Sequence, residues 1–154
     1  MKKIINKNLI KLDLKGNNKE EIIKELSQLI KSDGRLNDYD GYIEEVFSRE
    51  KLTTTGLGYG IAIPHGKCDA VDIPSVAFGK IKKGVDWASL DEKPVYLVFL
   101  LAVPKEAESN QHLKILAALS RKLVDDEFRQ ELMDVESGDR LLEILSGIFD
   151  EALK

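Results

Sequence analysis

Residues 54–67 have the sequence Thr54-Thr55-Gly56-Leu57-Gly58-Tyr59-Gly60-Ile61-Ala62-Ile63-Pro64-His65-Gly66-Lys67. Three glycines at alternate positions allow backbone torsions with φ > 0 and a close approach to a ligand. The apolar run Ile61–Ile63 predicts a short buried strand, and Pro64, which has no N–H for a sheet ladder, is expected to end it. His65 is therefore predicted at a strand end, at the rim of a sheet.

His65 is one of only two histidines in the chain. Imidazole is the side chain best suited to accept and release a proton or a phosphoryl group near neutral pH. A rigid strand end beside a glycine loop would hold it for that chemistry. The residues alone leave a second interpretation open, in which the glycines only shape a turn and His65 is an ordinary surface residue.

Two common phosphate-binding loops do not fit this segment. A P-loop needs Gly, four residues and then Gly-Lys-Ser/Thr, but five residues separate Gly60 from Gly66, and Lys67 is followed by Cys68. A dinucleotide loop needs Gly-x-Gly-x-x-Gly between a strand and a helix. The alternate glycines have the wrong final spacing and lead into a strand, so no nucleotide loop is predicted.

Composition limits the classes of function. The 154 residues are 43% apolar and 32% charged, which predicts one globular domain over residues 1–154. A net charge of −4 predicts no general affinity for nucleic acid. The longest apolar run, residues 95–103, is too short to span a membrane. A single cysteine excludes an internal disulfide, fits a reducing cytoplasm, and with two distant histidines predicts no metal site.

The periodicity of apolar residues predicts alternating strands and helices. Strands are expected at 10–14, 61–63, 76–81 and 95–103, and helices at 18–34, 42–51, 109–123, 126–133 and 139–149. The strand at 95–103 is apolar on both faces, so it is predicted to be central, with helices on each side. This order predicts an α/β fold, a three-layer α/β/α sandwich with a mixed parallel and antiparallel sheet.

The chain resembles a known bacterial family. The segment Gly58–His65 fits throughout the signature Gly-x-Gly-Ile/Val-Ala-Ile/Leu-Pro-His of the cytoplasmic EIIA component, fructose/mannitol type, of the phosphoenolpyruvate-dependent sugar phosphotransferase system (PTS). The resemblance extends from about residue 8 to about residue 146 and includes Phe47–Lys51, Leu90–Leu100 and the helix that carries His112. Tyr59 departs from the pattern, where a small polar residue is more usual.

The resemblance implies a phosphocarrier without a cofactor. His65 would accept a phosphoryl group from the phosphohistidine protein HPr and pass it to an EIIB component, for transfer to a sugar that crosses the membrane. The expected location is the cytoplasm, with no insertion into the membrane. Because the donor is already activated, no bound nucleotide is needed.

His112 is implied as a second catalytic residue. Ser109 can cap the following helix, which would place His112 in its first turn, where free N–H groups and the helix dipole favour an anion. The residues alone leave open that His112 only covers the core, because it shares a helical face with Leu116, Leu119 and Leu123.

The family's site also includes an arginine at the position of Arg49. A guanidinium can donate two hydrogen bonds to phosphate oxygens and keeps its charge. The alternative is an exposed arginine that pairs with Glu45 or Glu50. Thr54 and Thr55 are further predicted to bind phosphate through their hydroxyls.

A shallow apolar rim is expected around His65, because the substrates of a phosphocarrier are proteins. Leu57, Tyr59 and Ile61 are predicted to form this docking surface. Lys67 is interpreted either as a source of local positive potential or as an ordinary surface charge. Cys68, three residues past the histidine, is interpreted as a bystander and not as a relay to sulfur.

Three functions stay open at this level. The first is a carrier for sugar uptake, with the sequence closer to the fructose-like branch. The second is a nitrogen-type regulatory EIIA, whose phosphorylation state controls binding partners without sugar transport. The third is a degenerate carrier that binds without being phosphorylated, which the presence of both histidines and Arg49 disfavours.

Overall fold

The computed structural model describes residues 3–106 and 111–153, with only the backbone at positions 111 and 112. Its strands are β1 Ile10–Lys11, β2 Gly56–Gly58, β3 Ile61–Ala62, β4 His65–Cys68, β5 Ser75–Val85 and β6 Val95–Pro104. Its helices are α1 Lys19–Ser32, α2 Tyr39–Leu52, α3 Gln111–Leu123, α4 Asp126–Asp134 and α5 Gly138–Ala152. Within these described residues, every helix is too short or too polar to cross a membrane.

The strands form one mixed sheet in the order β1-β5-β6-β3-β2, and β4 also pairs with β6. β5 and β6 are antiparallel, whereas β3 and β4 run parallel to β6. Eight of the ten residues of β6 are buried, so both faces of this strand are covered. The prediction of an α/β fold with a mixed sheet and a central strand near residues 95–103 is confirmed.

His65 begins a strand instead of following the end of one. β3 pairs Ile61 with Leu97, and β4 then pairs His65 with Leu101 on the same partner strand. Pro64 lies between them without an N–H, but its carbonyl accepts a hydrogen bond from the N–H of Leu101 at 3.0 Å. The proline therefore interrupts the ladder without ending it, which corrects the sequence prediction.

Other boundaries differ where local bonding overrides periodicity. Only Ile10–Lys11 of the predicted first strand pairs with a neighbour. Asn18 caps α1 as predicted, and its side chain accepts from the N–H of Glu21. Asp38 caps α2 in the same way, so this helix begins before the predicted residue 42. The predicted cap of α3, Ser109, lies outside the described residues.

Helix α2 lies directly against the strand that begins at His65. Tyr42 and Val46 are fully buried, and a Cβ at Gly66 would lie 3.0 Å from Val46 and 3.1 Å from Tyr42. The hydroxyl of Tyr42 donates to the carbonyl of Leu101 at 2.8 Å. This close packing brings the C-terminal end of α2 towards His65.

A buried ion pair holds the chain together at the start of β5. The fully buried Arg35 donates to the carboxylate of Asp33 at 2.7 Å and to the hydroxyl of Ser75 at 3.1 Å. The side chains of Asn6 and Asn8 donate to the same carboxylate. Burial opposes ionisation, but the hydrogen bonds from Arg35, Asn6 and Asn8 outweigh it and lower the pKa of Asp33 to about 2.

Acid is expected to weaken the fold through Asp33. Its folded-state pKa lies below the ordinary value, so its contribution to stability is complete near neutral pH and is lost as the pH falls towards about 2. Asp33→Asn should lower the free energy of unfolding at neutral pH, since breaking a buried pair typically costs about 3–5 kcal/mol. In urea titrations, the difference from the wild type should shrink as the pH falls. A difference that stays constant would contradict this assignment.

Candidate functional site

His65 is half-buried and its ring is oriented by its own strand. The Nδ1 atom lies 3.2 Å from the carbonyl oxygen of Ile63. Because a carbonyl oxygen only accepts, Nδ1 must carry the hydrogen, and Nε2 keeps a free lone pair. Burial lowers the pKa of His65 below its usual value, and Arg49 lowers it further, while the Ile63 carbonyl and Glu50 oppose this. The imidazole is therefore neutral near pH 7, with its lone pair on Nε2.

Arg49 lies in the last turn of α2, close enough to His65 to affect its pKa. Its guanidinium donates to the carbonyl of Thr53 at 2.9 Å. In the described part of the chain, no carboxylate forms an ion pair with Arg49, so the alternative pairing with Glu45 or Glu50 is not observed. Arg49 thus brings a positive charge near the imidazole, with N–H groups beyond the one that Thr53 accepts.

The hydroxyls of Thr54 and Thr55 are used inside the protein, which corrects their predicted role as phosphate donors. Thr54 donates to the carbonyl of Trp87 at 2.9 Å. Thr55 is buried, donates to the carboxylate of Glu50, and accepts from the indole N–H of Trp87 at 3.1 Å. Each hydroxyl has one proton, so neither has a donor left for a ligand.

The turn between β2 and β3 lies away from His65. Tyr59 and Gly60 form it with φ of 58° and 79°, and the carbonyl of Gly60 accepts from Tyr96 and Leu97. Ile61, which follows this turn, pairs with Leu97 of β6, and His65 pairs with Leu101, four residues farther along that strand. This offset corresponds to about 13 Å. The glycine turn is therefore a neighbour of the imidazole and not a cradle around it.

The predicted docking residues have different environments. Leu57 is 42% exposed and Tyr59 is 68% exposed, but Ile61 is only 1% exposed. Ile61 faces the core from β3 and cannot contact a partner, which corrects that prediction. Two exposed leucines that the sequence analysis missed lie on neighbouring segments: Leu52 ends α2, and Leu90 donates from its N–H to the carbonyl of Gly56.

Trp87 is the other residue that the sequence analysis missed. It is fully buried and holds both threonines before the glycine loop. A single tryptophan in the chain was the available signal, because a buried indole needs a partner for its N–H. The loop after β5 thereby supports the segment that leads to His65.

The second histidine lies at the start of α3. Its backbone belongs to the first turn of that helix, as predicted, while the side chain of His112 lies outside the described residues. Its role towards a phosphoryl group stays a prediction. Cys68 is half-buried, and burial raises the pKa of its thiol, so it is a poor nucleophile at neutral pH.

Comparison with known proteins identifies the family. Residues 3–147 match the family described as phosphoenolpyruvate-dependent sugar phosphotransferase system, EIIA 2. The chain belongs to this family. The resemblance inferred from the Gly58–His65 signature is thereby confirmed, and with it the general nature of a PTS phosphoryl carrier.

Its relatives within the EIIA family differ in length. The chain is 41% identical over 143 residues to the fructose-specific EIIABC component of Bacillus subtilis, covering 93% of this chain but 22% of that protein. It is 39% identical over 142 residues to the fructose-specific EIIA component of Haloferax volcanii, covering 92% of each. The chain therefore spans about a fifth of one relative and most of the other.

Two solved EIIA structures share the fold. The nitrogen regulatory protein IIA-Ntr of Neisseria meningitidis superimposes with a TM-score of 0.85 at 35% identity, covering 92% of this chain and 96% of that one. Enzyme IIAMtl of Escherichia coli, in complex with phosphorylated enzyme IIBMtl, gives a TM-score of 0.78 at 28% identity, covering 93% and 97%. A nitrogen regulatory protein and an enzyme IIAMtl thus share this architecture.

Proposed function

We propose that this protein accepts a phosphoryl group on His65 from phospho-HPr and passes it to an EIIB component of a sugar permease. One observation carries the proposal, namely the state of the His65 imidazole. Its Nδ1–H donates to the carbonyl of Ile63 and its pKa is lowered, so Nε2 is unprotonated. A neutral ring nitrogen is what nucleophilic attack on phosphorus requires.

The transfer conserves atoms and electrons. The Nε2 lone pair of His65 forms a bond to phosphorus while the nitrogen–phosphorus bond of the donor histidine breaks, and its electron pair returns to the donor ring. The hydrogen stays on Nδ1, which continues to donate to the carbonyl of Ile63. The transition state is loose and highly charged, so the protein mainly positions donors. Arg49 supplies such donors here, and His112 is proposed as the second.

The fructose-like branch is favoured for the biological role. Two relatives at 41% and 39% identity are named fructose-specific components. The alternative, a nitrogen-type regulatory EIIA, is supported by the close fit to the Neisseria protein. Both roles use the same chemistry at His65. They differ in whether the phosphoryl group passes on to a sugar or its presence on the protein controls binding partners.

Reconstituted transfer tests the proposal. Enzyme I, HPr and labelled phosphoenolpyruvate should label this protein without ATP, and addition of a fructose-type EIIB should remove the label. Retention of the label with every EIIB tested, together with normal loading, would favour the regulatory role. Absence of loading from phospho-HPr would refute the proposed function.

An apolar surface beside the site fits a protein partner. Leu57 and Leu90 are exposed, and the N–H of Leu90 donates to the carbonyl of Gly56, the residue before Leu57. Exposed leucines at one place usually mark an interaction surface, and encounters between carrier proteins bury modest areas. This leucine patch, Leu57 and Leu90, takes the place of Ile61 in the predicted rim, and Tyr59 stays a predicted docking residue because it is exposed.

A charge on the leucine patch is expected to weaken docking. Leu57→Asp and Leu90→Asp should each slow transfer from HPr and to EIIB about tenfold, because a carboxylate would be desolvated in the contact. Loading from phosphoramidate, which needs no docking, should be unchanged. Gln28→Glu adds the same charge on the exposed side of α1 and serves as the control. Unchanged transfer from HPr in both leucine variants would place the docking surface elsewhere.

A further inference from the structure

Glu50 has a buried carboxylate at the junction of α2 and the β2–β3 hairpin. Its side chain is 7% exposed, and Oε2 lies 3.2 Å from Nζ of Lys19 on α1. The hydroxyl of Thr55 donates to Oε1, and the N–H of Thr55 lies 3.4 Å from Oε2. Burying a carboxylate is costly unless a counter-charge and donors surround it. This carboxylate has both.

The bonds of Glu50 lead to the imidazole. The carbonyl of Thr55 accepts from the N–H of Ile63 at 3.1 Å, and the carbonyl of Ile63 accepts from Nδ1 of His65. Hydrogen bonds thus link the carboxylate to Thr55, Thr55 to Ile63, and Ile63 to the ring. In the sequence, Glu50 directly follows Arg49 in α2.

Trp87 determines which way the threonine hydroxyl points. Its indole N–H donates to Oγ1 of Thr55, so the single hydroxyl proton is directed to Glu50. Lys19 neutralises the carboxylate and lies 5.9 Å from the centroid of the Trp87 ring. Both neighbours hold the Glu50 carboxylate in one orientation.

We propose that Glu50 is a positioning residue for phosphoryl transfer. It fastens the Arg49 end of α2 to the hairpin through Thr55, and so sets the position of the guanidinium relative to Nε2 of His65. The inference rests on the proposed function, because it assigns Glu50 a role in the same site. Glu50 itself touches neither the phosphoryl group nor its donor.

Glu50→Gln is the direct test. The glutamine has nearly the same shape and still accepts from Thr55, but it loses the charge that Lys19 pairs with. Transfer from phospho-HPr should fall about tenfold, in the range of coupling energies between contacting residues. Glu44→Gln, which removes an exposed carboxylate from the same helix, should leave the rate unchanged.

A double-mutant cycle separates positioning from a general loss of stability. If Glu50 acts through Arg49, Glu50→Gln should cost almost nothing further in an Arg49→Ala background. Simple addition of the two losses would overturn the proposal. Thr55→Val should resemble Glu50→Gln, and Thr55→Ser should restore the rate, so the proposal stays testable if Glu50→Gln fails to fold.

A readout without phosphate distinguishes failure of this inference from failure of the proposed function. In an NMR titration of the unphosphorylated protein, Glu50→Gln should lower the pKa of His65 more in an Arg49→Ala background than in the wild type. In both, the carboxylate that raises this pKa is gone, but only in the wild type is Arg49, which lowers it, also displaced. Equal pKa shifts in the two backgrounds together with an unchanged rate would overturn the role of Glu50. A wild type that phospho-HPr does not label, while the two pKa shifts differ as expected, would refute only the proposed function.

Discussion

His65→Ala is expected to abolish phosphoryl incorporation from phospho-HPr. His65 is the histidine whose described side chain has a free ring nitrogen, and Cys68 is kept protonated by burial. Labelling with radioactive phosphoenolpyruvate, enzyme I and HPr should give no signal above background. Cys68→Ala should load as the wild type does. Label that persists in His65→Ala, or maps to His112 or Cys68, would contradict the assignment.

The attached nitrogen is part of the same expected result. Since Nδ1 carries a hydrogen bonded to Ile63, the phosphoryl group should be on Nε2. NMR of the phosphorylated ring distinguishes the two nitrogens, and the bond should be labile in acid. Phosphate on Nδ1 would mean that the ring turns before it reacts.

Arg49→Ala is expected to slow transfer by about 10²–10³, the usual cost of one preorganised donor. The guanidinium affects the pKa of His65, and its Nη1 donates to the carbonyl of Thr53. We expect its other N–H groups to donate to oxygens of the phosphoryl group. Single-turnover transfer from phospho-HPr measures the rate, and circular dichroism should stay native because no described ion pair is lost.

Arg49→Lys is the matched variant. It keeps the charge but replaces the planar fork with a point charge, so it should recover only part of the rate. Full recovery would mean that Arg49 acts by charge alone. Normal kinetics in both variants would mean that Arg49 has no role in phosphoryl transfer.

Much of the fold was predictable because its signals are local. The doubly apolar run at 95–103 predicted the central strand, and Asn18 predicted the cap of α1. The prediction failed at Pro64, where the strand was expected to end. A missing N–H is a local property, but whether pairing resumes depends on the neighbouring strand, and β6 continues to accept and donate there.

The residues of the candidate site were also predicted only in part. The family signature identified His65 from consecutive residues, and Arg49 from its distance along the chain. Thr54, Thr55 and Ile61 were assigned by nearness in sequence, and this failed because strand alternation and the indole of Trp87 decide where their side chains point. A partner 32 residues away leaves no trace in the local pattern.

The sequence by itself determined that this chain carries a histidine soon after a glycine loop and a short buried strand, on an α/β scaffold of the EIIA type. Only the tertiary structure decided which ring nitrogen is free, that Ile61 after the glycine turn lies about 13 Å from His65, and that Glu50 bonds to Thr55. The reason is physical. Periodicity and turn chemistry act over a few residues, whereas hydrogen-bond partners and charges are set by segments that meet only when the sheet has formed.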